Sequence, residues 1–263
     1  MSAAAAYRAL YEGRHVLVTG ASSGIGLSVA LGLAQAGARL SVLAENDLIH
    51  DAAAEIAATG TAPENVLHCD VSDAAQVRAA LDPLPPVDAL IQVAGYQPRT
   101  PVDNPDPLID AEFERCMAIN VTGMWHVTRA ALGKMGQGGK IVLTSSIWGK
   151  TAVPEYAAYV TSKHAVIGLT RALAADLGPK GINVNAVCPG WVETEGAMWT
   201  VREQAAEQGI PVAEIVQQIA DSFPMPGMMQ PRDMQAIYLF LASDLARDMT
   251  GQAINVDRGA GVI

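Results

Sequence analysis

The chain has 263 residues, of which 50% are hydrophobic and 17% charged, and its 27 acidic and 17 basic side chains give a formal net charge of −10. This composition excludes a disordered or fibrous chain, and an acidic chain without a basic cluster is a poor partner for nucleic acid or an anionic membrane. Three dispersed cysteines and five dispersed histidines predict reduced thiols and no metal site. With no recognisable signal peptide and no apolar run of about 18 residues, we expect a cytoplasmic protein.

Short apolar runs alternate with amphipathic segments along nearly the whole chain. The predicted strands cover residues 15–19, 39–44, 66–69, 89–93, 141–144, 182–187 and 253–256, and the predicted helices cover 24–36, 47–58, 73–81, 111–135, 155–177 and 231–243. Because parallel strands need crossover connections, this alternation predicts an α/β fold with a doubly wound parallel sheet and helices on both faces. Residues 193–227 have a helical pattern without a strand. We therefore predict one domain over residues 1–263, in which 193–227 form a small helical insertion, the lid.

The first predicted strand leads directly into a glycine-rich turn, TGASSGIG, at residues 19–26. Glycines at 20, 24 and 26 permit a tight turn and the close approach of a pyrophosphate, which the N-terminus of the following helix attracts. The alternative is a turn that only packs the helix against the strand. The position of the glycine-rich turn, between the first strand and the first helix, favours dinucleotide binding.

Several motifs together resemble the short-chain dehydrogenase/reductase family. They are the GxxxGxG spacing of the turn, YVTSK at 159–163, a strand that closes with Ser146, Asn120 in an INV triplet, and PG at 189–190. The matches run from about Gly13 to Gly259. The resemblance implies a Rossmann-type sheet of about seven strands and hydride transfer between a nicotinamide cofactor and a carbon bearing oxygen.

The resemblance also implies a set of site residues. The catalytic residues would be Asn120, Ser146, Tyr159 and Lys163. The cofactor-binding residues would be Gly20, Ser22, Ser23, Gly24, Ile25, Gly26, Glu45, Asp70, Val71, Ala94, Gly95, Tyr159, Lys163, Pro189, Gly190, Val192 and Thr194. The substrate-binding residues would be Tyr96, Ser146, Trp148, Tyr156, Tyr159 and Trp191.

Two segments differ from the family pattern. The usual Asn-Asn-Ala-Gly after the fourth strand is Gln92-Val93-Ala94-Gly95 here, which changes two side-chain amides. Arg258 stands where the family commonly has glycine. Arg258 could face solvent, a neighbouring subunit or a carboxylate, and we expect one of the first two.

Acid–base chemistry by Tyr159 requires the pKa of its phenol to fall from about 10 toward 7 or 8. A cation about 5 Å away supplies about 3.3 kcal/mol at an effective dielectric near 20, which is the required size. Lys163, one helical turn further along, is placed to be that cation, and an oxidised nicotinamide would add to it. By resemblance, Ser146 would bind the substrate oxygen and Asn120 would anchor a water of a proton relay. Taken singly, each of these residues could instead be structural.

Glu45, just past the second strand and with no basic residue nearby, predicts NAD rather than NADP. A carboxylate there accepts hydrogen bonds from the ribose hydroxyls and repels a 2′-phosphate. The alternative is a solvated carboxylate at a helix start. For the substrate we expect a small hydroxylated molecule, a sugar or polyol, oxidised at a secondary alcohol. An NADPH-dependent 3-oxoacyl-thioester reductase and a non-catalytic dinucleotide sensor stay as alternatives. We further predict a homotetramer that pairs the helices 111–135 and 155–177.

Overall fold

The computed structural model describes residues 3–262, with side chains from 7 to 261, and centres on one sheet of seven parallel strands. The spatial order of the strands is β3-β2-β1-β4-β5-β6-β7. The strands are β1 His15–Thr19, β2 Arg39–Ala44, β3 Asn65–His68, β4 Ala89–Gln92, β5 Lys140–Thr144, β6 Asn183–Pro189 and β7 Ala253–Val256. The predicted doubly wound α/β fold is confirmed.

Ten α-helices connect and flank the strands in the described part of the chain. They are α1 Ala3–Tyr11, α2 Gly24–Gln35, α3 Leu48–Thr59, α4 Ala74–Leu81, α5 Leu108–Met117, α6 Met124–Leu132, α7 Ala157–Leu177, α8 Glu195–Gln208, α9 Val212–Asp221 and α10 Gln235–Leu241. Helix α1 lies in a segment for which the sequence pattern predicts no helix. The phenol of Tyr11, at its end, is buried and donates a hydrogen bond to the Leu239 carbonyl at 2.6 Å, so a contact made 228 residues along the chain holds this helix.

The two faces of the sheet each bury a separate hydrophobic cluster. In β1, Val16 and Val18 pack toward α2 and α10, whereas Leu17, between them, packs toward α6 and α7. Successive side chains of a strand point to opposite faces, so a strand covered on both faces is apolar throughout. The strand order reverses between β1 and β4, and this switch point is where a doubly wound sheet opens a crevice at the carboxyl ends of its strands.

The predicted helix 111–135 is interrupted in the structure. Helices α5 and α6 are separated by a π-helical turn, Ala118–Gly123, which contains the buried Asn120. A π turn inserts wider i→i+5 hydrogen bonds and rotates the residues that follow it, and such turns often lie at functional sites.

Helices α8 and α9 lie within the predicted lid and form a small hydrophobic cluster of their own. Val201, Ala205 and Ile215 are its buried members, and Trp191 and Met198 pack against it. Within residues 3–262, no helix is both long enough and apolar enough to cross a lipid bilayer.

Candidate functional site

A cleft of about 730 Å³ opens at the carboxyl ends of the strands, across the switch point between β1 and β4. Most of the predicted site residues line it. They are Gly20, Ser22, Ser23, Gly24, Ile25, Gly26, Glu45, Val71, Ala94, Gly95, Tyr96, Ser146, Trp148, Tyr159, Lys163, Pro189, Gly190, Trp191, Val192 and Thr194. Asn120, Asp70 and Tyr156 lie outside the cleft lining. The fold therefore brings residues that are up to 174 positions apart (Gly20 and Thr194) to one cavity.

The glycine-rich turn forms one wall of the cleft by direct contact between backbones. A Cβ on Gly26 would lie 2.0 Å from the Gly20 carbonyl oxygen, and one on Gly20 would lie 2.5 Å from the Ala94 nitrogen. Gly20 also has a φ of 67°, in the left-handed region that favours glycine. Ser23 precedes α2, and its side chain makes no capping hydrogen bond. The first N–H groups of α2 thus meet the cleft without a side-chain cap, which fits an anionic pyrophosphate.

Glu45 follows β2 at the far end of this wall, where its exposed carboxylate lines the cleft between Ala44 and Asn46. Asp70, predicted beside the adenine, is directed elsewhere. Its carboxylate accepts hydrogen bonds from the backbone N–H and the hydroxyl of Ser72, both at 2.8 Å. Its neighbour Val71 does line the cleft.

Tyr159, Lys163 and Ser146 meet where the two ends of the cleft join. Lys163 Nζ lies 5.3 Å from the centroid of the Tyr159 ring and donates a hydrogen bond to the Thr144 carbonyl at 2.9 Å. Ser146 follows β5, and its hydroxyl accepts a hydrogen bond from Trp148 N–H at 3.1 Å. The spacing of one helical turn places the phenol and the ammonium on the same side of α7, as predicted.

Burial controls the titration of this pair. It lowers the pKa of Lys163 to about 8, because the ammonium loses its hydration. Burial also raises the pKa of Tyr159 above its ordinary value, although a hydrogen bond with Ser146 acts in the opposite direction. For these side chains by themselves the pKa of Tyr159 is therefore raised and not lowered as expected, because desolvation of the phenolate outweighs the hydrogen bond with Ser146. The effect of Lys163 together with a bound nicotinamide stays a prediction.

Asn120 lies behind the cleft and fixes the backbone of Tyr96. Its Oδ1 accepts a hydrogen bond from Tyr96 N–H at 2.7 Å. Its Nδ2 donates to the Tyr96 carbonyl at 2.8 Å and to the Ser162 hydroxyl at 2.9 Å. This amide thus connects α7 to the segment after β4. Its predicted part in a water relay stays a prediction.

Aromatic side chains crowd the end of the cleft away from Glu45. The Trp148 ring has Tyr156, Trp191 and Tyr159 around it, with centroids at 5.6, 5.9 and 6.0 Å. Tyr156 is buried behind Trp148, and its phenol donates to the Thr200 hydroxyl of α8 at 3.4 Å. Tyr156 therefore connects the lid to the aromatic group without lining the cleft itself.

Arg99 lies at the mouth of this aromatic end and is paired with two carboxylates. Its guanidinium contacts Glu155 at 2.5 Å and also pairs with Glu207 of α8. Glu155 has a φ of 69°, which is unusual for a residue with a side chain, and its carbonyl accepts a hydrogen bond from Thr100 N–H at 2.6 Å. The pairs tie the lid to the segment after β4.

Glu112 is a cleft residue that the sequence analysis missed. Its carboxylate accepts a 2.5 Å hydrogen bond from the Tyr96 phenol. The signal was present, because Glu112, Cys116 and Asn120 recur every four residues and so share one face of the predicted helix.

The two departures from the family pattern have definite contacts. Gln92 Nε2 donates to the Thr128 hydroxyl at 2.8 Å and to the Met124 carbonyl at 3.2 Å, so it braces β4 against α6. Arg258 has a φ of 53° and donates to the Pro226 carbonyl at 3.0 Å. This contact with the lid of its own chain was not among the expected surroundings of Arg258.

Comparison with known proteins decides the family. A family model described as Enoyl-(Acyl carrier protein) reductase matches residues 20–261. A D-beta-hydroxybutyrate dehydrogenase from Cupriavidus necator is 34% identical over 259 residues, which cover 95% of this chain and 98% of that protein. The chain belongs to the short-chain dehydrogenase/reductase family.

Solved structures agree with this membership. A variant of actinorhodin polyketide ketoreductase with NADPH has a TM-score of 0.88 and 31% identity, covering 95% of this chain and 98% of its own. The ligand-free aldohexose dehydrogenase of Thermoplasma acidophilum has a TM-score of 0.84 and 28% identity, covering 96% and 95%. As a short-chain dehydrogenase/reductase, the chain is an oxidoreductase that acts on hydroxyl or keto groups with a nicotinamide cofactor.

Proposed function

We propose that the chain is an NAD-dependent dehydrogenase that oxidises a secondary alcohol of a small, neutral, hydroxylated substrate of the sugar or polyol class. The observation that carries the proposal is the distribution of charge along the cleft. Around Glu45, at the far cofactor end, the cleft lining has a carboxylate and, among the described residues, no basic side chain; Lys163 lies further along, beside Tyr159. The substrate end has one guanidinium, Arg99, which two carboxylates already neutralise.

The cofactor preference follows from Glu45. A carboxylate at the end of β2 accepts hydrogen bonds from the hydroxyls of an adenosine ribose and repels a 2′-phosphate. The glycine-rich turn and the uncapped start of α2 would hold the pyrophosphate, and the segment Pro189–Thr194 would lie along the nicotinamide. Asp70 stays a proposed adenine contact, but its carboxylate is engaged by Ser72 and its backbone N–H by Gln76, so Val71, which lines the cleft, is the better placed of the two.

The proposed chemistry uses four side chains. When bound, oxidised nicotinamide supplies the hydride acceptor and a positive charge. Tyr159 accepts the proton of the substrate hydroxyl at its phenolic oxygen, while Ser146 donates a hydrogen bond to the substrate oxygen and orients it. Lys163 holds the ribose and stabilises the phenolate of Tyr159, and Asn120 positions the backbone of Tyr96 and, through Ser162, the helix that carries Lys163. Because burial alone raises the pKa of Tyr159, the two positive charges together must offset that desolvation.

A neutral substrate is supported by the charges at the aromatic end. Among the described residues that line the cleft, Arg99 and Lys163 are the cationic ones, and Glu112 and Glu195 are carboxylates at the same end. An anionic substrate would meet no unpaired guanidinium and would be repelled by Glu112. The relative from Thermoplasma acidophilum is described as an aldohexose dehydrogenase, which agrees with a hydroxylated substrate. Trp148 and Trp191 would cover the carbon skeleton, and Tyr156 would support them from behind.

We also propose a cytoplasmic homotetramer that pairs α5–α6 and α7 with their copies. Phe113 on α5 and Trp125 on α6 are 38% and 42% exposed, and pairing these helices with their copies would remove the two rings from water. Light scattering should give about four times the 27.5 kDa chain mass. A particle of one chain mass would contradict this assembly.

The activity is tested with a panel of sugars, polyols, hydroxy acids and a 3-oxoacyl thioester, each with NAD(H) and NADP(H), followed by the absorbance of the reduced nicotinamide. We expect the highest kcat/KM for a neutral polyol or sugar with NAD, and at least a tenfold preference for NAD. The variant Glu45→Ala should reduce that preference. A 3-oxoacyl-thioester reductase is the second candidate, favoured by the NADPH-containing ketoreductase among the structural neighbours. Thioester reduction with NADPH as the dominant activity would overturn the proposal in its favour.

A further inference from the structure

Glu112 presents a carboxylate to the substrate end of the cleft. It lies on α5, is half-buried, and lines the same cavity as Tyr159, Ser146 and Trp148. One carboxylate oxygen, Oε2, accepts the hydrogen bond from the Tyr96 phenol. Within the described residues, no hydrogen bond or ion pair engages the other oxygen, Oε1.

Tyr96 is held from three sides, so Glu112 has a rigid partner. Asn120 binds both the N–H and the carbonyl of Tyr96, at 2.7 and 2.8 Å. The guanidinium of Arg115 lies 4.6 Å from the centroid of the Tyr96 ring. Burial, with the hydrogen bond to Glu112 as a second cause, raises the pKa of Tyr96 to about 12, so near neutrality its hydroxyl is a donor. Because Tyr96 is fixed, its hydroxyl holds the Glu112 carboxylate in one orientation. A surface glutamate without such a partner would not be held in this way.

The chemistry of this pair selects a hydrogen-bond donor. A carboxylate with a free oxygen accepts a hydroxyl hydrogen strongly and repels another carboxylate. We propose that Glu112, oriented by Tyr96, is a specificity-determining residue that binds a second hydroxyl group of the substrate, away from the carbon that is oxidised. This inference rests on the proposed function and deepens it, because it requires a substrate with at least two hydroxyls.

The experiment compares butane-2,3-diol with butan-2-ol, which share a carbon skeleton and differ by one hydroxyl. In the wild type we expect the diol to have the higher kcat/KM. Glu112→Gln keeps an oxygen that can accept from Tyr96 but removes the charge. This variant should lower kcat/KM for the diol about tenfold or more and leave that for butan-2-ol within about twofold, because a hydrogen bond to a charged group is lost for the diol alone.

Two further variants separate binding from a merely structural role. Glu114→Gln alters an exposed carboxylate two residues along α5 and should keep the wild-type ratio of diol to mono-alcohol. Tyr96→Phe removes the hydroxyl that orients Glu112 and should lower the ratio less than Glu112→Gln does. In all three variants the Kd for NAD, measured by fluorescence titration, should stay unchanged.

The inference is overturned if Glu112→Gln leaves the ratio of kcat/KM for the diol to that for butan-2-ol unchanged. If Tyr96→Phe lowers this ratio and Glu112→Gln does not, the phenol of Tyr96 itself is the contact, and the inference is again overturned. A wild-type preference of tenfold or more for 1-amino-2-propanol over the diol also overturns it, because Glu112 would then bind an ammonium group. If the wild type oxidises no alcohol of the panel with either nicotinamide, the proposed function fails and the inference fails with it. If the wild type is active and the ratio does not move, the proposed function stands and only the role of Glu112 is wrong.

Discussion

The two ends of the cleft are built in different ways. At the cofactor end the wall is backbone against backbone, where Gly20 and Gly26 leave no space for a Cβ. At the substrate end the wall is held by side chains that reach across the chain, such as Arg99 to Glu207, 108 residues apart, and Tyr156 to Thr200. The first construction would hold the pyrophosphate that NAD and NADP share, and the second leaves the substrate surface free to change.

The two constructions also differ in strength. Forcing an extra methylene into the close-packed cofactor wall would destabilise the fold by about 1–3 kcal/mol. Losing an exposed ion pair at the substrate end would destabilise it by only about 0–1 kcal/mol. The lid has its own small cluster around Val201, Ala205 and Ile215, separate from the two main clusters. Local opening should therefore begin at the lid and leave the cofactor wall intact.

The largest effect should appear at Tyr159, where the two ends meet. Replacing it with phenylalanine removes the proposed proton acceptor, and kcat should fall about 1,000-fold, in the range for a lost acid–base group. The Kd for NAD should change less than about threefold. Steady-state kinetics and a fluorescence titration measure the two quantities, and Tyr7→Phe, which alters a phenol bonded to Ala236, should retain wild-type kcat. Equal turnover in Tyr159→Phe would remove the proposed chemistry.

Lys163 provides a pH-dependent test of the same meeting point. Because burial lowers its pKa from 10.5 to about 8, the unfolded chain holds a proton between those values that the folded chain does not. The free energy of unfolding therefore increases as pH rises from about 8 to 10.5. The increase is up to about 3 kcal/mol, at 1.36 kcal/mol per pH unit. Urea unfolding at pH 7 to 10.5 should show this gain in the wild type relative to Lys163→Met.

The exposed Lys180 is the control for that measurement, since Lys180→Met should follow the wild-type profile. A constant difference between wild type and Lys163→Met across this pH range would show that the buried ammonium titrates elsewhere. The comparison with Lys163→Met also cancels the loss of stability expected when other tyrosines and lysines titrate above pH 10.

Gly26 tests the cofactor wall directly. A Cβ there would lie 2.0 Å from the Gly20 carbonyl, so Gly26→Ala should destabilise the fold by about 1–3 kcal/mol and weaken NAD binding at least tenfold. Gly136→Ala is the matched substitution, because a Cβ at that position meets nothing within 4 Å. Thermal unfolding and the NAD titration measure both effects. A Kd for NAD in Gly26→Ala equal to that of the wild type would show that the backbone of the cofactor wall can shift to accommodate a Cβ.

This contrast also explains how much could be predicted from the sequence. The glycine-rich turn and the Tyr159–Lys163 spacing are local patterns, and each fixes geometry within a few residues. The ends of the strands were predicted to within one or two residues. A strand in a sheet that is covered on both faces is apolar throughout, so it appears in the sequence as a continuous apolar run.

The rest depends on contacts that a local pattern cannot carry. Arg99 pairs with Glu155, before α7, and with Glu207, in the lid, which lie 56 and 108 residues further along the chain. The pKa of Tyr159 is raised because the phenol is buried, and the spacing to Lys163 carries no information about burial. The π turn around Asn120 likewise interrupts a stretch that the sequence pattern predicts as one continuous helix.

The smallest effect should appear in the lid, at Glu207. Replacing it with glutamine removes one of the two partners of Arg99, whose guanidinium is only 26% exposed. Stability should fall by less than about 1 kcal/mol, while KM for the alcohol should rise about two- to fivefold. KM should also depend less on salt than in the wild type, because one of the two salt-screened ion pairs of Arg99 is gone and only the pair with Glu155 remains. Glu203→Gln, on the exposed side of the same helix, should keep the salt dependence of KM. If Glu207→Gln instead lowered the free energy of unfolding by 2 kcal/mol or more, the lid would be as tightly built as the cofactor wall, and the contrast between the two ends would no longer hold.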